Sequence, residues 1–110
     1  MTADDEPKVI DGIARVIAEE LMVEAYKECL ADAGIAAEMV APRLWFSPMT
    51  IDGAYTSNDP KCRKYAVERS LRCIDIARYM GTDLIVLWLA REGSYIREAK
   101  NARKCVDYLV

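Results

Sequence analysis

The sequence predicts an α/β chain, with about two parallel strands and three helices. Three observations carry this. Residues 84–89, Leu-Ile-Val-Leu-Trp-Leu, are apolar without polar alternation. A run of that kind is the pattern of a strand covered on both faces, as in parallel sheets. A second, shorter strand pattern stands at residues 35–41, and a helix-length amphipathic segment separates the two. Strand, helix and strand within this length imply a right-handed parallel crossover. Finally, apolar residues recur at steps of three and four in three separate segments, which is the period of a helix with one buried face.

The first helix follows from Pro7 behind Asp4, Asp5 and Glu6, since acids and then proline favour a helix start. Val9, Ile10, Ile13, Val16, Ile17, Leu21, Met22, Ala25, Leu30 and Ala33 form its stripe, and Gly34 is the expected stop. Gly12 weakens the first turns by about 1 kcal/mol relative to alanine. The strand at 35–41 ends at Pro42, because proline cannot donate to a ladder.

Residues 43–58 keep no period and include Pro48 and Gly53, yet hold Leu44, Trp45, Phe46, Met49 and Tyr55. A loop this long in a small domain is usually functional. Its apolar side chains suit a pocket wall, a subunit contact, or packing of the loop onto its own sheet.

Asn58 or Asp59 caps the second helix, Pro60 fits its first turn, and Gly81 closes it. Its expected buried stripe is Ala66, Val67, Leu71, Ile74, Ala77 and Met80. Its Arg and Lys residues, interleaved with Glu68 and Asp75, read as a solvated face. The run at 84–89 then passes through Arg91-Glu92-Gly93 into a last helix beginning at Ile96 or Ala99. Ligands of such sheets bind at the carboxyl ends of the strands, and Trp88 lies near that end.

The chain has 110 residues, 15 basic and 18 acidic, and a net charge of −3. That length allows one domain. The mixed, slightly acidic charge gives no basic face for nucleic acid and no layout for a membrane surface. No apolar run approaches the ~20 residues of a spanning helix. The acidic start does not read as a signal peptide. Cys29, Cys62, Cys73 and Cys105 are far apart, and the chain has no histidine. They read as reduced thiols packed as small apolar groups in helices, which fits a cytoplasmic protein.

Two motifs carry a family resemblance. Leu87-Trp88-x-x-Arg91-Glu92-Gly93, behind Gly81-Thr82-Asp83, resembles the middle of the xylose isomerase-type sugar isomerases. Asp52-Gly53-Ala54-Tyr55-Thr56-Ser57-Asn58-Asp59 resembles that family's Asp-Gly-x-x-Thr-x-Asn-Asp. The two lie at about the family's separation, and the likeness runs from about Ile17 to Val110. The resemblance implies that the chain is a fragment of a (β/α)₈ TIM barrel, one partial domain over residues 1–110. A complete barrel typically needs about 250 residues.

For the complete enzyme, the resemblance implies interconversion of aldose and ketose sugars by a metal-assisted hydride shift, with divalent Mg, Mn or Co as cofactor. The metal ligands of such enzymes fall on later strands, so no catalytic residue and no metal ligand is carried over to this chain. Two substrate-binding positions are. Trp88 matches the tryptophan that closes over the sugar's apolar face. Trp45 matches an aromatic, usually phenylalanine, that walls the same pocket. Their plain alternative is core packing. Arg91 and Glu92 match a turn whose expected role is to hold itself by ion pairs.

The sequence departs from the family pattern at Ala41-Pro42-Arg43, at Phe46-Ser47-Pro48 in place of Thr-His-Pro, and at Leu89-Ala90 in place of two glycines. These departures put xylose itself in doubt and leave another sugar or polyol open. Alone, the chain is expected not to catalyse isomerisation. Open strand edges and an open aromatic pocket make self-association, as a homo-oligomer, the expectation. Two alternatives remain. One is a non-enzymatic half-barrel module that assembles with itself or a partner chain. The other is a related sugar epimerase or deglycosidase.

Overall fold

The structure is a computed structural model that describes the backbone of residues 6–110 and the side chains of residues 19–110. The chain divides into two compact units, one ending at Ala37 and one running from Glu38 to Val110.

The first unit is helix α1, Glu6–Asp32. Pro7 lies in its first turn, as the acidic start requires. Its end is built by Gly34 at φ +68°. The Gly34 amide donates to Ala31 O at 3.0 Å, and the Ile35 amide reaches back to Leu30 O at 2.9 Å. This paired closure uses the left-handed residue that glycine adopts without a Cβ clash. Leu21 and Met22, expected on the buried stripe, are exposed. Among the described residues of this unit, α1 is the sole element, so the stripe has no partner element within the unit.

The second unit is anchored by α2, Pro60–Met80. The Asp59 carboxylate caps it by accepting from the Lys61 amide at 2.9 Å. Pro60 sits at the first turn, and Gly81 at φ +80° ends the helix. The element therefore starts and stops where its capping residues dictate.

The buried face matches the expected one only in part. Ala66 and Ala77 are buried as expected, together with Cys62 and Cys73, whereas Val67, Leu71 and Ile74 are exposed. The turn positions explain this. The core against α2 is the long loop, through Leu44, Ala54 and Tyr55 around Ala66, with Tyr65 packed alongside. A loop backbone approaches most closely where the helix presents small side chains. The Tyr55 hydroxyl and Ser70 Oγ, 2.5 Å apart, satisfy the polar tip of this core. Burial raises the Tyr55 pKa, partly offset by that hydrogen bond.

The parallel pairing expected between residues 35–41 and 84–88 is present as a single bridge, Val40 to Ile85. The Val40 amide donates to Leu84 O at 3.1 Å, and the Val86 amide to Val40 O at 3.0 Å. No extended strand forms among the described residues. Thr82 Oγ1 steadies the approach by donating to Glu38 O at 2.6 Å.

The run read as covered on both faces is instead open. Leu84, Val86, Leu87, Trp88 and Leu89 are all exposed. Among the described residues no further strand flanks this bridge. A pair that short also does not sustain a ladder by itself.

The last helix, α3, is Ala102–Leu109, preceded by a 3₁₀ turn at Arg97–Ala99. It starts later than Ile96 or Ala99. Lys100 is extended at φ −138°, ψ 144°. The next residue, Asn101, is the cap, accepting from the Lys104 amide at 3.1 Å. All four cysteines are free, each in a helix. Cys62 and Cys73 are buried, Cys105 is half-buried, and Cys29 is exposed rather than packed. No helix among the described residues is long and apolar enough to cross a membrane.

Candidate functional site

The two sequence motifs dock on each other. The amides of Ala54, Tyr55 and Thr56 point in succession at one carboxylate, that of Glu92. Ala54 N lies 3.0 Å from Oε1, Tyr55 N 3.2 Å from Oε1, and Thr56 N 2.9 Å from Oε2. Thr56 Oγ1 adds a contact of 2.7 Å to Oε2. Successive amides turned to one side form a concave nest for an anion. Burial alone would raise the Glu92 pKa. The Thr56 hydroxyl and the three amides outweigh it and hold the carboxyl below its ordinary value.

Gly53 makes the close approach possible. Its φ is +97°, and a Cβ there would lie 2.7 Å from Lys100 Nζ and 3.0 Å from both Glu92 Oε2 and Thr56 Oγ1. A side chain is excluded both by backbone conformation and by space. Lys100 closes the other side. Its side chain is 4% exposed, with Nζ 3.8 Å from Asp52 Oδ1. The ammonium also donates to the Asp52 carbonyl and, at 3.4 Å, to Thr56 Oγ1. Asn58 Nδ2 donates to Ala99 O at 2.8 Å, tying the end of the first motif to the residue before Lys100.

Arg91 and Glu92 thus work differently from the ion pairs expected of them. Each reaches across to the backbone of the long loop. Arg91 Nη1 donates to Ser47 O at 3.1 Å, while Glu92 receives residues 54–56. The loop between is stiffened by the 3₁₀ turn Pro48–Thr50. There the buried Thr50 hydroxyl bonds to Leu44 O and lies 3.0 Å from Ser47 O.

Trp45 and Trp88 come together. Their ring centroids are 5.1 Å apart, with planes inclined at 47°. Both follow the Val40–Ile85 bridge in a parallel arrangement, so both lie on its carboxyl side. Trp88 is 64% exposed and Trp45 half-buried, so the pair lies at the surface. Phe46 beside it is exposed and carries the Arg43 guanidinium 4.1 Å from its ring centre. A shallow cleft of about 310 Å³ lies one turn further on, lined by Ala90, Arg91, Gly93, Ser94 and Tyr95, and includes neither tryptophan.

The residues present do not fit a divalent cation. Among the described residues no group of three or more His, Cys, Asp or Glu is placed to hold one. Glu92, the most sheltered carboxylate of the site, is already engaged by three amides and a hydroxyl.

Sequence reasoning missed Lys100. In Arg97-Glu98-Ala99-Lys100-Asn101 it reads as one more charge on a helix surface. The available signal was Asn101, a good cap three residues before Lys104, which would have released Lys100 from the helix.

No family model matches the chain. Curated xylose isomerases are similar to it. The xylose isomerase of Thermus thermophilus is 35% identical over 88 residues, and that of Thermus caldophilus is 34% identical over 88 residues. In each case the match covers 80% of this chain and 23% of the relative. The chain is xylose isomerase-like over most of its own length, and it spans about a quarter of the curated relatives it matches. That relationship implies a TIM-barrel fragment.

Proposed function

We propose, from this xylose isomerase-like relationship, that the chain is a portion of a sugar isomerase barrel whose complete form interconverts aldose and ketose sugars. Within it, residues 1–110 form one partial barrel domain. Residues 35–41 and 84–88 are neighbouring parallel strands of that barrel, extended from the Val40–Ile85 bridge once further strands flank them. Trp45 and Trp88 form an apolar wall against which a sugar ring stacks. An indole gives a broad apolar face with one polar edge, suited to the C–H face of a pyranose or an open-chain polyol. The hydride shift and its divalent cation belong to parts of the barrel beyond these residues. A soluble, oligomeric sugar-converting enzyme is the setting that this reading requires.

The observation that carries the reading is the 5.1 Å approach of the two tryptophans in a chain 35% identical to a xylose isomerase. The test is a chimera. The 88 homologous residues of the Thermus thermophilus enzyme are replaced by those of this chain, and aldose–ketose interconversion is measured with Mg, Mn or Co. A working chimera whose KM rises on Trp88→Ala supports the reading. A folded, metal-loaded chimera that neither binds nor converts a sugar overturns it. The 110-residue chain by itself is expected to show no turnover.

A further inference from the structure

We propose that Arg91 is a positioning residue whose hydrogen bond to Ser47 sets the geometry of the Trp45–Trp88 pair. The inference rests on the reading of that pair as a sugar wall, but its test does not use a sugar. Arg91 lies three residues after Trp88, and Ser47 two residues after Trp45. The 3.1 Å bond from Arg91 Nη1 to Ser47 O therefore closes a short ring that contains both indoles. Nothing else between these two stretches is as direct. The parallel bridge lies back at Val40 and Ile85, and Glu92 grips the far end of the loop at 54–56.

The Ser47 carbonyl is a fixed target. It also accepts from the Thr50 amide at 3.1 Å and lies 3.0 Å from the Thr50 hydroxyl. The Thr50 side chain is fully buried, so the acceptor does not wander. A guanidinium is a rigid, planar, permanently charged donor. A charged donor gives a stronger hydrogen bond than a neutral one. Adjacent residues thus divide the work: Glu92 holds the loop down on the turn, and Arg91 sets where its aromatic end lies. Leu44 is buried in the core while Trp45 next to it is not. Before Trp45, the Arg43 carbonyl is held by Arg69 Nε at 3.0 Å; after it, the Ser47 carbonyl is the point at which Arg91 holds the stretch.

Two indoles at this distance and tilt couple electronically and give an exciton couplet in circular dichroism. The couplet reports the pair and is separable from the helical signal. In the full 110-residue chain the couplet should be present, and Trp45→Phe or Trp88→Phe should each remove it. Arg91→Ala should abolish it with the helical signal kept. Arg91→Met, which keeps the apolar stem and removes the donors, should do the same, and Arg91→Lys should restore part of it. Retention of the full couplet in Arg91→Met overturns the proposal, as does its absence from the unsubstituted chain. Loss of the helical signal in both Arg91→Ala and Arg91→Met also overturns it, because Arg91 would then support the fold at large. A lost couplet alongside a chimera that binds no sugar would uphold the positioning role and sink only the sugar wall.

Discussion

Thr56 and Glu92 meet at both ends of the glutamate. The Thr56 hydroxyl lies 2.7 Å from the Glu92 carbonyl and 2.7 Å from its Oε2, and the Thr56 amide donates to the same Oε2 at 2.9 Å. Thirty-six positions of sequence are closed by one residue pair. The ordering of the long loop therefore depends on a carboxylate and not on a strand ladder.

The first prediction is the acid response. The folded state holds the Glu92 carboxyl below its ordinary value, so folding favours the ionised form. That stabilisation is complete above the ordinary carboxylate range and is lost as pH falls through the lowered value. Glu92→Gln should cost about 1.5–3 kcal/mol near neutral pH, the scale for hydrogen bonds to a charged group. Urea midpoints across pH should show the gap between the two proteins closing in acid. A gap that stays constant from neutral to acid pH would remove Glu92 as the anchor.

Gly53 and Gly81 make a controlled comparison. Both have positive φ, but a Cβ at Gly81 meets nothing within 4 Å, whereas one at Gly53 meets Lys100, Glu92 and Thr56. Gly81→Ala should cost only the left-handed backbone, about 1–2 kcal/mol. Gly53→Ala should cost more, about 2–4 kcal/mol, by adding the crowding to backbone strain. Shortening the flexible neighbour with Lys100→Ala in the same chain should recover part of the difference. Equal denaturation midpoints for the two alanine variants would show that the site has slack.

Asn101 is predicted to set where α3 begins. Asn101→Ala removes the acceptor for the Lys104 amide and should cost about 1 kcal/mol. Asn101→Asp should retain most of the stability. Amide hydrogen exchange offers a local measurement: protection at Lys104 should fall in the alanine variant while that within α2 is unchanged. Undiminished protection at Lys104 would mean that the helix start is held by something other than this cap.

These cases mark what was legible in the sequence. The limits of α2 were readable because Asp59, Pro60 and Gly81 act locally, through caps that need no tertiary partner. The parallel sense of Val40 and Ile85, and the meeting of Trp45 with Trp88, followed from connectivity and the paired motifs. The buried face of α2 was readable only in part. Ala66 and Ala77 of the expected stripe are buried, but its larger members Val67, Leu71 and Ile74 are exposed, and Cys62 and Cys73 are buried in their stead. The partner, a loop pressed close, selects small side chains. Burial of 84–89 was misjudged because an apolar run records the environment of a flanked strand, and here one bridge is its only pairing. The Glu92 nest was invisible because backbone amides leave no mark in a sequence.

The exposed run at 84–89 yields the last prediction. Leu84, Leu87 and Leu89 are each more than two-fifths exposed, and Trp88 more than three-fifths. The single bridge leaves amides and carbonyls along both edges without ladder partners. A contiguous apolar surface of this kind drives association, and open strand edges direct it. The 110-residue chain should therefore sediment as more than a monomer at working concentration. Leu87→Lys places a charge on the exposed run without touching the Leu44–Ala54–Tyr55–Ala66 core. It should shift the distribution toward monomer and leave the helical signal unchanged. Dissociation by Leu87→Lys would locate the contact on this run, whereas an unaffected oligomer would locate it elsewhere. A monomeric unsubstituted chain would mean that the exposed run does not drive association. It would also remove the need for further strands on which the barrel reading depends.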